Sequence, residues 1–285
     1  MASETNIKTP NFGKAIPFKL FDIADIISFY SSMKIDPSIP HRTNFYILLF
    51  LTEGETVHEV DFKPYRVGKG DCLFISKEQI HKFDTSSKRE GYIFIFSEEF
   101  ILRHFSLSAI SKINFLYNYH LTLPLFKDFK DQEIFIIAVK RELLLESGKT
   151  KFDIIASILT VFLLKAQFNI GNESKLSAGD YNQFIAFQKI VVSKHMETRV
   201  AKHYASILNM TLKQLNNLCK IFINISAKEY ISNYIILESK RRLATNSNPV
   251  KEIAHEVGFT EATNFLKFFK RKTGMTPGKF RALQA

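Results

Sequence analysis

The 285-residue chain contains no tryptophan and only 2 cysteines, Cys72 and Cys219. So few cysteines exclude a disulfide scaffold and a cysteine-based zinc finger, and they fit a reducing compartment. Long apolar runs are also missing. The most apolar stretch, residues 154–164, is about half of what a membrane helix needs and is followed by Lys165, which rules out a transmembrane reading; no membrane partner is expected. Residues 1–14 hold no apolar run of signal-peptide length, so the expected location is the cytoplasm. No phosphate-cradling glycine loop, nucleophile elbow or Ser/His/Asp pattern is present, so neither an enzyme nor a cofactor is expected. Core material is plentiful: 28 Phe, 10 Tyr and 46% hydrophobic residues against 24% charged. Those proportions describe an ordinary globular protein of one large or two ordinary domains.

Charge is unevenly placed. Residues 181–285 carry 17 Lys and Arg against 6 Asp and Glu, so the whole net charge of +11 lies there, while residues 1–180 are balanced. A local excess of this kind is the electrostatic footprint of a polyanion partner. A membrane surface is the weaker alternative, because the cations are spread over several predicted helices instead of one amphipathic stripe.

The neutral part begins with strands. Residues 45–51 (FYILLFL) are a continuous apolar run of strand length, with a turn signal at Glu53-Gly54-Glu55. Residues 56–62 alternate in part, Lys63-Pro64 and residues 68–71 punctuate, and residues 72–75 and 92–96 are again short and apolar. Short strands at close spacing predict a sandwich or barrel. The period then changes. Ile134, Ile137, Ala138, Arg141, Leu144 and Leu145 follow helical spacing, as do Ile154, Ile155, Ile158, Leu159, Phe162 and Leu163. The second of these helices is apolar around much of its circumference. It is either a core helix packed on the barrel or a homodimer interface. Residues 169–180 are polar and rich in Gly and Ser and read as a linker, at the point where the charge excess begins. The expected domains are therefore 1–168, a linker 169–180, and 181–285.

The basic part repeats itself. Leu215, Leu218, Cys219 and Lys220 recur as Phe265, Phe268, Phe269 and Lys270, each 50 positions later. Asn224 recurs as Gly274, Ser226 as Thr276, and Tyr230 as Phe280, whereas Ala205 recurs as Ala254 with a shift of 49. Each copy reads as two short helices joined by a tight turn, at Asn209-Met210 in the first and Gly258-Phe259 in the second. The second helices are capped by Thr211 and Thr260. A long helix from Ala227 to about Leu243 lies between the copies.

Such a pair places its second helix in a DNA major groove, so the outward face must carry donors and acceptors. In the first copy the outward residues are Lys213, Gln214, Asn216, Asn217 and Lys220. In the second they are Ala262, Thr263, Asn264, Leu266, Lys267, Lys270 and Arg271. Leu266 admits either a thymine-methyl contact or plain packing. Arg241, Arg242, Lys279 and Arg281 are candidate phosphate contacts. Phe265, Phe268 and Phe269 fall at core spacing, which disfavours base stacking by an RNA-binding module.

The stretch IAHEVGFTEATNFLKFFKRKTGMTPGKFR closely resembles the signature of the AraC/XylS family of bacterial transcription regulators. FYILLFLTEGE, DFKPYRVGKGDCLFIS and the IHKF segment are similar to that family's cupin-like sensor domains. The resemblance implies an α+β chain of two domains: an N-terminal cupin-like β-barrel with helices, and a C-terminal all-α double helix-turn-helix. It implies a sequence-specific activator with double-stranded DNA and RNA polymerase as partners, whose N-terminal domain binds a small-molecule effector in the barrel or mediates dimerisation. Family DNA contacts carry over to Lys213, Asn216, Asn217, Ala262, Thr263, Leu266 and Lys267. Tyr234 stands where Arg is common, Arg242 stands where an apolar residue is common, and Ala262 and Leu266 offer no hydrogen bonds.

A metal-dependent cupin enzyme is the competing reading. His41, His58 and His81 lie in the barrel region, but no two are two residues apart and His58 stands alone in its strand. No metal site is therefore expected.

Overall fold

The computed structural model describes residues 18–32, 36–84, 88–106, 109–110, 113, 124–145, 150–169, 178–223, 225–245 and 247–284. The leader reading of residues 1–14, the central linker residues 170–177 and Asn224 lie outside them. The described residues fall into two compact units, 18–169 and 178–284.

The first unit is mixed sheet and helix. Its strands are β1 (Phe18–Asp22), β2 (His41–Arg42), β3 (Tyr46–Val60), β4 (Lys63–Gly68), β5 (Cys72–Ile75), β6 (Ile80–Lys82), β7 (Arg89–Phe96) and β8 (Leu125–Phe126). Helix α1 (Ile23–Ser32) follows β1, α2 (Glu98–His104) follows β7, and α3 (Gln132–Leu144) and α4 (Lys151–Asn169) close the unit. The sheet runs β1-β7-β3-β5-β8, with β4 and β6 on the far half of β3 and β2 on β6. All of its ladders are antiparallel. No ladder joins β1 to β8 among the described residues, so in place of the expected barrel the strands form an open sheet.

The continuous apolar run of β3 has a simple cause: both faces of the strand are buried. Tyr46, Leu48 and Phe50 join Phe94 and Phe96 of β7 under α3 and α4, where Phe135, Val139, Leu159 and Phe162 complete the core. Ile47, Leu49 and Leu51 point the other way, into a second core with Leu73, Ile75, Ile93, Ile95 and Tyr30 of α1. Phe50 is fully buried and meets Phe94 and Phe162 edge-on, both with centroids 5.3 Å away. Helix α2 is set by its own sequence. Ser97 caps it, accepting from the Phe100 N–H at 3.0 Å, with Glu98 and Glu99 in the first turn and Arg103 and His104 in the last.

Three sequence expectations change here. Glu53-Gly54-Glu55 does not end a strand but lies inside β3, where the register shifts between Leu51 and Glu53 and Gly54 adopts φ +80°. A left-handed glycine lets the strand bend and continue. Lys63-Pro64 belongs to β4, and the turn before it is Asp61-Phe62, both residues at positive φ. The helical stripe of α3 is the reverse of the apparent one. Phe135, Ile136 and Val139 are buried, while Ile134 (69% exposed), Ile137, Leu144 (86%) and Leu145 are exposed. In α4, Ile155, Leu159, Phe162 and Leu163 are buried, and Ile154 and Val161 are exposed. That helix packs as a core helix and still keeps an apolar edge.

Replacing Phe50 with Ala removes a ring shared by both layers of the larger core. Urea unfolding of the full chain should show this unit losing about 3–5 kcal/mol, as is usual for Phe truncations in a core.

Candidate nucleic-acid interface

The second unit contains α5 (Ala178–Lys194), α6 (Ala201–Ile207), α7 (Leu212–Ile223), α8 (Ala227–Thr245), α9 (Val250–Glu256), α10 (Ala262–Thr273) and α11 (Pro277–Ala282). The repeat seen in sequence is a repeat of backbone geometry. The Met210 N–H donates to the Ala205 carbonyl at 2.9 Å, and the Phe259 N–H donates to the Ala254 carbonyl at 2.9 Å. Asn209 (φ +53°) and Gly258 (φ +84°) hold the same left-handed turn position. Helices α7 and α10 begin and end 50 residues apart. Ser226 accepts from the Glu229 N–H and Thr276 from the Lys279 N–H, so α8 and α11 start on equivalent caps. The unit therefore holds two helix-turn-helix motifs joined by α8.

In each motif the inward side of the second helix is apolar: Leu215, Leu218 and Cys219 in α7, Phe265 and Phe269 in α10. Burial pushes the Cys219 thiol up to about 12, so it packs as a small apolar group. Tyr204 of α6 stays a neutral donor to the Thr198 carbonyl at 2.8 Å, burial and then Glu197 pushing its phenol up to about 12.

The candidate contact residues separate into two groups. Lys213, Asn217 and Lys220 on α7 are exposed, as are Thr263, Asn264, Leu266, Lys267, Lys270 and Arg271 on α10; Ala262 is half-buried. Leu266 is 42% exposed, so packing alone does not occupy it. Gln214 is exposed, yet its side-chain oxygen accepts from the Thr211 N–H and hydroxyl at 2.8 and 2.9 Å. Thr211 Oγ1 in turn accepts from the Gln214 N–H, giving a reciprocal cap. Asn216 is half-buried and its Oδ1 accepts from the Ala227 N–H at 3.1 Å, tying α7 to the start of α8.

Arg241 is corrected outright. It is 1% exposed and lies 3.7 Å from Glu238 inside the unit, so it is no phosphate contact. Both ends of this pair are buried on the inward side of α8. Arg242 bridges Glu238 (3.2 Å) and Glu256 of α9 (2.6 Å). Arg281 is half-buried and donates to the Asn248 carbonyl at 2.6 Å, so it braces α11 against the loop before α9. Lys279 is exposed, as are Lys202, Lys251 and Lys272, which the sequence reading passed over. Helix α10 is capped at Glu261, one residue after the expected Thr260.

The two motifs are also fastened to each other outside α8. A Cβ on Gly258 would sit 2.6 Å from the Met196 carbonyl oxygen, in the segment before α6. In that same segment the Arg199 guanidinium lies 3.9 Å from the Phe259 ring centroid. Phe259 in turn contacts Phe265 and Phe268 of α10. The turn of the second motif thus rests on the entrance to the first.

Residues 204–283 match the model of a helix-turn-helix domain, and residues 28–121 match that of an AraC-like ligand binding domain. The two matches together support an AraC/XylS family regulator. The raffinose operon transcriptional regulatory protein RafR of Pediococcus pentosaceus is 34% identical over 79 residues, 28% of this chain and 27% of that protein. The match thus spans about a quarter of that relative's length. The transcriptional activator RhaS of Klebsiella pneumoniae is 18% identical over 88% of this chain and 92% of its own. Among solved structures, ToxT of Vibrio cholerae with bound unsaturated fatty acid aligns over 93% of this chain and 94% of its own, at 14% identity and a TM-score of 0.46.

Two substitutions test the construction of this unit. Gly258→Ala meets both a left-handed backbone and the Met196 carbonyl, and should cost about 1–3 kcal/mol in thermal unfolding. Arg241→Ala leaves the buried Glu238 with Arg242 as its remaining cationic partner and should cost about 1–3 kcal/mol in the same measurement.

Proposed function

We propose that this chain is a sequence-specific regulator of transcription that reads two neighbouring major-groove segments of duplex DNA with α7 and α10. One observation carries the reading. The two motifs repeat the same turn and helix geometry around α8, inside the segment that holds the entire +11 excess. Lys213, Asn217, Lys220, Asn264, Lys267, Lys270 and Arg271 are the exposed polar groups best suited to bases and phosphates, and Thr263 and Leu266 offer methyl groups to thymine. Gln214 and Asn216 would act through their remaining amide N–H groups. The N-terminal part, up to about residue 168, is the regulatory unit, and a small-molecule effector is supported by the match to a ligand-binding domain. RNA polymerase is the expected protein partner of such a regulator. A homodimer is supported by the exposed apolar residues Ile134, Ile137, Leu144, Ile154 and Val161 on α3 and α4.

The test is selection of bound sequences from a random duplex pool by the full chain, followed by affinity measurement. The logarithm of affinity should fall linearly with the logarithm of salt concentration as counterions are released. Lys267→Ala should weaken the selected site by about 1–3 kcal/mol and relax its preference at one position. An equal loss on random DNA assigns Lys267 to a phosphate, and no selected sequence at low salt overturns the reading. In sedimentation, Ile137→Glu should shift the full chain from dimer to monomer.

A further inference from the structure

The smaller core of the N-terminal unit ends in three histidines that the sequence holds far apart. His41 of β2 and His81 of β6 are direct cross-strand partners, and His58 of β3 reaches the same place from the adjoining ladder. All three are 1% exposed. The rings of His41 and His81 lie 4.4 Å apart, and those of His58 and His81 are stacked at 5.3 Å. Phe83 stands edge-on to both His58 and His81.

The hydrogen bonds suit neutral rings. His41 Nδ1 donates to the Ile39 carbonyl at 2.9 Å, so its Nε2 is left to accept from the Tyr30 hydroxyl at 3.1 Å. Burial pushes the Tyr30 phenol up, which keeps it a donor. His58 Nε2 and His81 Nδ1 are 3.2 Å apart and have a single proton between them. His81 Nε2 is buried with no hydrogen-bond partner. Among the described residues no three His, Cys, Asp or Glu are arranged to hold a metal ion. The nitrogens are turned on one another and on Tyr30.

We propose that the His41–His58–His81 cluster is a proton-operated latch: acidification charges the three rings and parts β2 and β6 from the far half of β3. Three imidazolium ions at these separations in an apolar core repel strongly, and water is the only place their charge can be solvated. The groups around them give little compensation. Tyr30 reaches in from α1 and is neutral. Arg89 of β7 is cationic and opposes protonation of His58. Asp36, in the segment before β2, is the carboxylate that acts on His41, and it is exposed and already accepts from Ser38. Glu59 and Lys82 pair with each other at the surface, Arg42 pairs with Glu78, and Asp61 is held by Gln79 and the Ile80 N–H.

The direction of the pH effect follows from linkage. Burial, then His41 and Arg89, push His58 down to about 3; burial also holds His81 well below its ordinary value and His41 below it. Imidazoles of an opened segment bind protons near pH 6.5, and the closed ones do not. The stability of the closed form is complete above that pH and is lost as the pH falls toward the closed-state values. Each ring costs a factor of about ten per pH unit, and three acting together approach about a thousandfold.

The test uses the full chain and does not depend on DNA binding. With ring-labelled histidine, NMR between pH 7.5 and 5.0 should show three of the eight histidines remaining neutral in the folded protein. Amide-exchange protection of β2, β6 and residues 56–60 should collapse steeply over the same range while α7 and α10 stay protected. His58→Phe keeps a ring in the stack and should lower that slope by about tenfold per pH unit. Ordinary titration of all eight histidines in the folded chain overturns the proposal, as does an unchanged slope in a folded His58→Phe. If that variant does not fold, the wild-type titration decides alone.

Discussion

The C-terminal helical unit depends on one constraint: helices of seven residues, such as α6 and α9, cannot persist unless something buries them. Isolated helices of that length are unstable in water. The burial comes from α8, whose Tyr230, Ile231, Tyr234, Ile235, Ser239 and Leu243 are all buried. Each motif completes its core against this one helix. The positions of α7 and α10 are therefore set by packing on a common support, with the Gly258 and Arg199 contacts as a second fastening.

The same constraint sorts the charges. Arg241 and Arg242 of α8 pair with Glu238 and Glu256, whereas Lys228, Glu229 and Asn233 of the same helix are exposed. Buried pairs of this kind contribute more to a defined arrangement than to net stability. The exposed cations Lys213, Lys220, Lys267, Lys270 and Arg271 lie on α7 and α10, the two helices proposed to meet DNA. Internal architecture and external field thus draw on one stock of basic residues, and sequence position alone does not tell which residue serves which purpose.

Much was nonetheless legible. The 50-residue repeat, the two turns and the outward sets on α7 and α10 follow from local spacing, because a helix face is fixed by its own sequence. The errors arose where the answer depends on a distant partner. The stripe of Ile134, Ile137 and Leu144 has good helical period, but which stripe of α3 turns inward is decided by Phe50 and Phe94 on the sheet. Arg241 looks like any basic residue until its neighbours are known. His41 and His81 are adjacent only through the β2–β6 ladder, which spacing along the chain does not reveal. Gly54 signals a turn, and only the continuing ladder to β7 shows that it is a bend.

The two-sided burial of β3 has a mechanical corollary. The sheet at Tyr46–Leu51 is a partition a single backbone thick, with one core on each side and alternate side chains anchored in each. Close-packed interiors have little slack. A swelling or contraction on the Ile47–Leu49–Leu51 side must displace the strand, and its other anchors carry that movement directly to the inner faces of α3 and α4. The wall between the compartments is therefore also the shortest lever from the interior of the unit to the apolar residues on its outer surface.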